Sequence, residues 1–365
     1  MTIGVPREIK PQEHRVALIP STASTLTRRG HTALVQKNAG LGSGFSNEAY
    51  IDAGAKIVES AAEVFRDAEM IVKVKEPLPP EYELLRKGQI LFTYLHLAAS
   101  KPLTEALLKS GVTGVAYETI QVSNKLPLLE PMSEIAGRMS VVMGAFYLAK
   151  HNGGNGVLLG GVPGVLPGNV VVIGGGTSGV NAARMALGLK ADVTILEVDG
   201  ERMRFLDLTM PTVKTLYSNQ ANLTELMPTT DLLIGAVLVP GAKAPKLVTR
   251  EMLRRMQPGS VFVDIAIDQG GCAETSRATT HEDPVYFEEG VTHYCVANMP
   301  GAYARTSTQA LSNATARYVE LLADLGLEGA CKKQPALVGG VNTRDGRLTI
   351  QAVAEAHGLA FVPAF

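Results

Sequence analysis

The amino-acid sequence predicts an α/β protein made of two doubly wound, parallel-sheet domains, the second inserted into the first. Three observations carry that expectation. Strand-like and helix-like segments alternate over roughly the first 120 residues, and a second alternating block opens near residue 170. A long helix-periodic segment then flanks this block on each side, so the chain is expected to return to the first domain.

The elements follow in order. Strands are expected at Ile3–Pro6, Thr32–Gln36, Met70–Lys75, Ile90–Leu95 and Gly114–Glu118, where β-branched and apolar residues run together. Between them STASTLTRRG, AAEVFRDA and PLTEALLKSG read as helices, the first and last closing on a glycine. In residues 132–150, Ile135, Met139, Val142, Met143, Phe146 and Tyr147 recur at helical spacing, with Ser133 placed to cap the start. The second block predicts strands Val170–Ile173, Val193–Glu197, Val213–Tyr217, Leu232–Ala236, Val261–Ala266 and His293–Val296. Pro211 and Pro228 are expected to disrupt any helix between them. A helix from about Thr306 to Leu325 closes the block. The expected domains are 1–131 with 305–365, discontinuous, and 132–304.

Length and composition agree with this organisation. A chain of 365 residues suits two domains, since roughly 100–200 residues per domain is usual. With 46% apolar and 19% charged residues it can bury sizeable cores. A formal net charge of −1 supplies no basic field for nucleic acid or an anionic membrane. Cys272, Cys295 and Cys331 show no CxxC spacing, which argues against a disulfide framework or a zinc site and for a reducing compartment. His14, His31, His151, His281, His293 and His357 have no metal-ligand spacing either. His151–Ala183 carries no charged side chain, but its glycines and prolines rule against a spanning helix. The start MTIGVPREIK offers strand and charge where a secretory signal needs an apolar core. A soluble, cytoplasmic protein with no membrane partner is expected.

The inserted block opens with VVVIGGGTSGVNAARMALGLKADVTILEVD. Gly174, Gly176 and Gly179 make the G-x-G-x-x-G spacing of a Rossmann turn. The first allows a tight turn, the second lets backbone approach a pyrophosphate, and the third lets helix pack on sheet. The helix N-terminus then offers N–H groups to phosphate. Glu197 ends the next strand, where an acid grips a ribose diol and repels a 2′-phosphate, so NAD is expected over NADP. Asp199 is the alternative acid, but it lies past the strand, in the turn that follows. Glycine is frequent here, and without its strand–helix context the motif would read as a structural turn.

Polar groups gather at the predicted strand ends, where ligands of open α/β sheets bind. His96 closes the apolar run LFTYLHLA, Lys75 closes MIVKVK, and Arg15 lies in the loop after the first strand. Asp268 follows VFVDIAI and is expected to face them from the other domain. A guanidinium and an ammonium can hold a carboxylate; a histidine and an aspartate can move protons beside a hydride transfer. Each has a plainer reading. Lys73 and Lys75 fit solvated edge lysines equally well, a lone strand-end histidine is more often structural, and Asp264 shares a strand face with Asp268. The residues alone thus imply an NAD-dependent enzyme acting on a small anion.

From end to end the chain resembles the L-alanine dehydrogenase family. The likeness lies in IGVPREIKPQEHRVALIP, IVKVKEPLPPEY, FTYLHLAAS, GVLLGGVPGV, LLIGAVLVPGAKAPKLV, VDIAIDQGGC and CVANMPGA. The resemblance implies NAD-linked reversible deamination of L-alanine to pyruvate and ammonia by a homo-hexamer. It assigns Arg15 and Lys75 to substrate binding, and His96 and Asp268 to catalysis. Its NAD contacts fall on Ser133, Gly174, Gly176, Gly179, Glu197, Arg202, Ser218, Val237, Leu238, Ile267, Arg277, Val296, Asn298 and Met299. Two other functions fit an NAD-binding chain of this kind: the NAD(H)-binding component of a transhydrogenase, and a catalytically silent NAD-sensing module.

Overall fold

The computed structural model describes residues 1–237 and 244–365. The chain divides into two compact units, Met1–Met132 with Tyr303–Phe365, and Ser133–Ala302. In chain order the strands of the first stretch are β1 (Thr2–Val5), β2 (Thr32–Gln36), β3 (Lys56–Val58), β4 (Met70–Val72), β5 (Ile90–Thr93) and β6 (Thr113–Ala116). The second unit carries β7 (Asn169–Ile173), β8 (Asp192–Glu197), β9 (Lys214–Tyr217), β10 (Leu232–Gly235), β11 (Val261–Asp264), β12 (Val285–Glu288) and β13 (Val291–Tyr294). The return of the chain adds β14 (Val341–Arg344) and β15 (Arg347–Leu348).

Both sheets have the doubly wound order. In the first unit it is β3-β2-β1-β4-β5-β6, all parallel, extended by antiparallel β14 and β15 beside β6. In the second it is β9-β8-β7-β10-β11-β13, all parallel, closed by antiparallel β12. The order reverses between β1 and β4 in one unit and between β7 and β10 in the other. Those are the crevices where such sheets take ligands. The fold is therefore α/β with two parallel-dominated sheets, as the alternating pattern predicts.

Burial on both faces explains why the central strands are continuously apolar. In the second unit Val170, Val172, Ile195, Ile234 and Val263 enter one core cluster, while Val171, Ile173, Leu196, Leu233 and Phe262 enter the other. Successive side chains point to opposite faces, so each strand feeds both cores. Full burial of each such side chain contributes about 1.5–3 kcal/mol.

Several boundaries differ from expectation, each for a local reason. The predicted strands Met70–Lys75 and Ile90–Leu95 stop at Val72 and Thr93. Beyond those points the backbone N–H of Val74 donates to Glu8 (2.7 Å) and that of Leu95 to Glu118 (3.1 Å), in place of further ladder. Gly114–Glu118 shortens to β6 and turns into a 3₁₀ segment, and Val261–Ala266 ends at Asp264. The helix expected over 132–150 spans Glu130–Tyr147, so Ser133 lies inside it and does not cap it. Despite the flanking prolines, Gln220–Leu226 is helical, started by Asn219, whose side chain accepts from the Asn222 N–H (2.8 Å). The closing helix runs Ala304–Lys333 and is broken at Gly326 (φ 64°, ψ 179°), a conformation reserved for glycine. Among the described residues no helix is long and apolar enough to cross a membrane.

Candidate active site

In the first unit the candidate groups leave four adjacent parallel strands in the order β6-β5-β4-β1, all from their carboxyl ends. With neighbouring strands about 4.8 Å apart, this edge sets Glu118, His96 and Lys75, each two or three residues past its strand, beside one another, and Arg15 lies in the longer segment that follows β1. Lys75 follows β4 at the β1/β4 reversal.

Arg15 is only 2% exposed. Its Nε donates to Glu13 Oε1 (2.7 Å) and its Nη2 to Glu13 Oε2 (2.5 Å), a bidentate pair, and Nη1 lies 3.2 Å from Met132 Sδ. Burial opposes the charge, but the Glu13 hydrogen bond and charge outweigh it and raise the guanidinium above its ordinary pKa. A permanently charged group is thereby fixed with one edge of its fork occupied by Glu13.

Lys73 and Lys75 part company. Lys73 is fully buried, 2.7 Å from Glu81 and 3.2 Å from Glu8. Burial disfavours its charge, yet the two carboxylates more than offset this and raise its pKa. The reading of Lys73 as a solvated edge lysine is thus corrected: it is the centre of a buried ion triad. Glu8 also accepts the N–H groups of Val74 (2.7 Å) and Lys75 (3.4 Å), so the triad anchors the half-buried segment that presents Lys75.

His96 is no core histidine, since its side chain is 45% exposed. It occupies the left-handed region (φ 48°, ψ 38°), an uncommon place for a non-glycine residue. Its N–H donates to Glu118 Oε1 (2.6 Å), and its ring stacks near Tyr94 (centroids 5.8 Å apart, 10° between planes).

In the second unit the glycine turn follows β7. A Cβ on Gly174 (φ 100°) would lie 2.8 Å from the Ala236 carbonyl, and one on Gly179 only 1.9 Å from the Gly174 carbonyl. Gly176 has nothing within 4 Å of that position, the open approach a pyrophosphate requires. Glu197 ends β8 and packs against this turn, its Oε2 accepting from Gly175 N–H (2.7 Å) and its Oε1 from Val198 N–H (2.6 Å). Asp199 is instead the cap of the next helix, accepting from the N–H groups of Glu201 and Arg202. Arg202 donates to the Gly175 carbonyl (2.5 Å), bracing the turn from outside.

The remaining predicted cofactor positions also follow strand ends of this sheet. Ser218 follows β9, with its N–H on the Glu197 carbonyl (2.9 Å), and Val237 follows β10. Ile267 follows β11; Val296, Asn298 and Met299 follow β13. Ile267, Val296 and Met299 are buried, so backbone is what they offer a ligand. Arg277 lies over the Tyr286 ring at 3.9 Å. Ser133 lies in the first turn of Glu130–Tyr147. Leu238 falls outside the described residues.

The two aspartates are distinguished by environment. Asp264 is fully buried and accepts from Ala266 N–H (3.0 Å), Cys272 N–H (2.9 Å) and Ser276 Oγ (2.5 Å). Burial pushes its pKa up, against those hydrogen bonds. It shapes the loop. Asp268 is exposed on the 3₁₀ segment Ile265–Gln269. Among the described residues no group of His, Cys, Asp or Glu is arranged to hold a metal.

Spacing did not single out Glu13, the Glu8–Lys73–Glu81 triad or Glu118. For Glu118 a signal existed: it ended a predicted strand, as His96 did.

The sequence pattern described as "Alanine dehydrogenase/PNT, N-terminal domain" matches residues 4–136, and the corresponding C-terminal domain pattern matches residues 140–351. The chain belongs to the alanine dehydrogenase/PNT family. It is 55% identical to alanine dehydrogenase of Methanococcus maripaludis, over 100% of this chain and 98% of that one. A solved structure of L-alanine dehydrogenase shares 52% identity and a TM-score of 0.95, covering 98% of this chain and 99% of that one. Transhydrogenase from Sinorhizobium meliloti is further off, at 25% identity and a TM-score of 0.84, over 96% of this chain and 100% of that one. The family's two named activities thus sit at unequal distances from this chain.

Proposed function

We propose that the protein catalyses the NAD-dependent, reversible oxidative deamination of L-alanine to pyruvate and ammonia. The observation that carries this is Lys75 and His96 just past adjacent strand ends, with Arg15 in the segment after β1, in a chain 55% identical along its whole length to an alanine dehydrogenase. The open face of Gly176, the close packing of Gly174 and Gly179 and the acid at Glu197 fit a dinucleotide in the second unit. Ser133, Arg202, Ser218, Val237, Leu238, Ile267, Arg277, Val296, Asn298 and Met299 complete the proposed contacts.

Arg15 and Lys75 hold the alanine carboxylate, the first as a fixed fork and the second as an ammonium point charge. Bound NAD supplies the acceptor for the hydride that leaves the α-carbon once the alanine ammonium has lost a proton to solvent, and the nitrogen lone pair closes the C=N bond of an iminium. His96 takes a proton from the water whose oxygen bonds to the iminium carbon, and the C=N electron pair returns to nitrogen. Asp268 assists the proton movements as the carbinolamine expels ammonia and its C–O bond becomes the pyruvate carbonyl. A positioned acid–base group of this kind contributes roughly 10²–10⁴-fold. The same reading carries a cytoplasmic homo-hexamer, which light scattering on the purified protein checks for size.

The deciding assay is NADH formation from L-alanine and NAD, with NADH consumption on adding pyruvate and ammonium. Both are expected. Nucleotide-to-nucleotide hydride exchange without alanine turnover would favour the transhydrogenase component, and NAD binding without any turnover the sensing module.

A further inference from the structure

We propose that Glu118 is a positioning residue for His96, setting both its backbone conformation and which ring nitrogen takes a proton. This rests on the reading of His96 as the acid–base group.

The starting point is register. β5 and β6 pair in parallel with Thr93 opposite Ala116. Two residues further on, Leu95 and Glu118 are again side by side, past the end of the ladder. There the Glu118 carboxylate takes over from the strand. It accepts from Leu95 N–H (3.1 Å to Oε1, 3.3 Å to Oε2) and from His96 N–H (2.6 Å to Oε1). The carboxylate thereby satisfies two consecutive N–H groups where the chain leaves the ladder and His96 takes φ 48°. A charge-assisted bond is about twice as strong as a neutral one, enough to hold a conformation that ordinarily costs about 1–3 kcal/mol.

The same oxygen addresses the ring. Glu118 Oε1 lies 4.0 Å from His96 Nδ1, beyond hydrogen-bond length but the nearest carboxylate contact of the imidazole. The ring stacks with Tyr94, and a small adjustment of the His96 side-chain torsions closes the 4.0 Å gap and brings Nδ1–H onto the carboxylate. Glu118 is mostly shielded (16% exposed), whereas His96 is open. A carboxylate on Nδ1 fixes the proton there and leaves Nε2 as the lone-pair nitrogen that accepts from water. The other charges near His96 do not duplicate this. Glu76 is engaged by Lys10 at 2.6 Å, and Lys75 follows β4 and carries a positive charge.

The test compares Glu118→Gln, Glu118→Asp, His96→Ala and the double variant His96→Ala with Glu118→Gln. Turnover, KM for pyruvate, NADH affinity and melting temperature are measured on each. The amide of Glu118→Gln can still accept backbone N–H groups but can equally turn an N–H toward the ring. Its kcat is expected to fall roughly 10²-fold with KM for pyruvate and NADH affinity nearly unchanged. Glu118→Asp, which keeps the charge, is expected to recover part of the rate. In the His96→Ala background the same Gln substitution should cost less than about twofold, the limit of simple additivity.

An equal loss in both backgrounds would overturn the proposal, as would a Glu118→Gln enzyme of normal kcat. If neither Glu118 variant folds, the carboxylate serves loop stability alone and the proposal fails. Full turnover in His96→Ala itself would instead remove the underlying role of His96, a result separable from all of these.

Discussion

Lys73 and Lys75 stand two residues apart, on one side of the chain by simple alternation, and meet opposite environments. Spacing left them equivalent because what separates them is tertiary: Glu8 and Glu81 close on Lys73 and leave Lys75 to the strand end. Removing one member of a buried charge set strands its partners, typically costing about 3–5 kcal/mol. Lys73→Ala is therefore expected to lower stability by that order in urea unfolding. Lys75→Ala should cost far less stability and abolish turnover. A stable Lys73→Ala protein that has lost pyruvate binding would reverse the two roles. His96 and the aspartate pair teach the same point. Strand-end position was legible for His96, Asp264 and Asp268, but only burial shows that Asp264 is structural and that His96 and Asp268 are accessible.

At the scale of elements, legibility followed the length and apolar content of each run. The β-branched runs of β2, β7 and β8 were plain, because both sheet faces are buried. The edge strands β3, β12 and β15 were missed, being short and partly exposed, and so was β14, a four-residue antiparallel strand between β6 and β15. Two of the turns that join them carried a readable signature. Asp345 and Gly346 (φ 50° and 74°) join β14 to β15, and Glu289 and Gly290 (φ 52° and 77°) join β12 to β13, the two-residue turns with both central φ angles positive that hairpins favour. The glycine turn after β7 gives the sharpest prediction at this scale. Gly179→Ala places a Cβ 1.9 Å from the Gly174 carbonyl, so the turn must open. Lower melting temperature and lost NADH binding are expected together. Gly176→Ala meets nothing within 4 Å and its φ of −69° suits alanine, so folding should be normal. Its methyl would stand where the pyrophosphate must approach, and NADH affinity should fall about tenfold or more, some 1.4 kcal/mol. Normal NADH affinity in Gly176→Ala would place the phosphates elsewhere.

At the scale of the molecule, one unit is contiguous in sequence and the other is not. The two long helix-periodic segments are both helical, although helix 130–147 begins before its expected cap and helix 304–333 runs beyond its expected stop. Contiguity has an energetic consequence. Ser133–Ala302 closes a complete doubly wound sheet, with separate apolar clusters on its two faces. It lies within the usual domain size of roughly 50–250 residues. Produced alone, this segment is expected to unfold cooperatively on heating and to bind NADH through the glycine turn, because none of its proposed nucleotide contacts comes from the other unit. It should show no alanine turnover, lacking Arg15, Lys75 and His96. Circular dichroism melts and NADH fluorescence titration check both expectations. A segment that folds but fails to bind NADH would mean that the other unit supplies contacts to the nucleotide, and the division of labour between the two sheets would have to be redrawn.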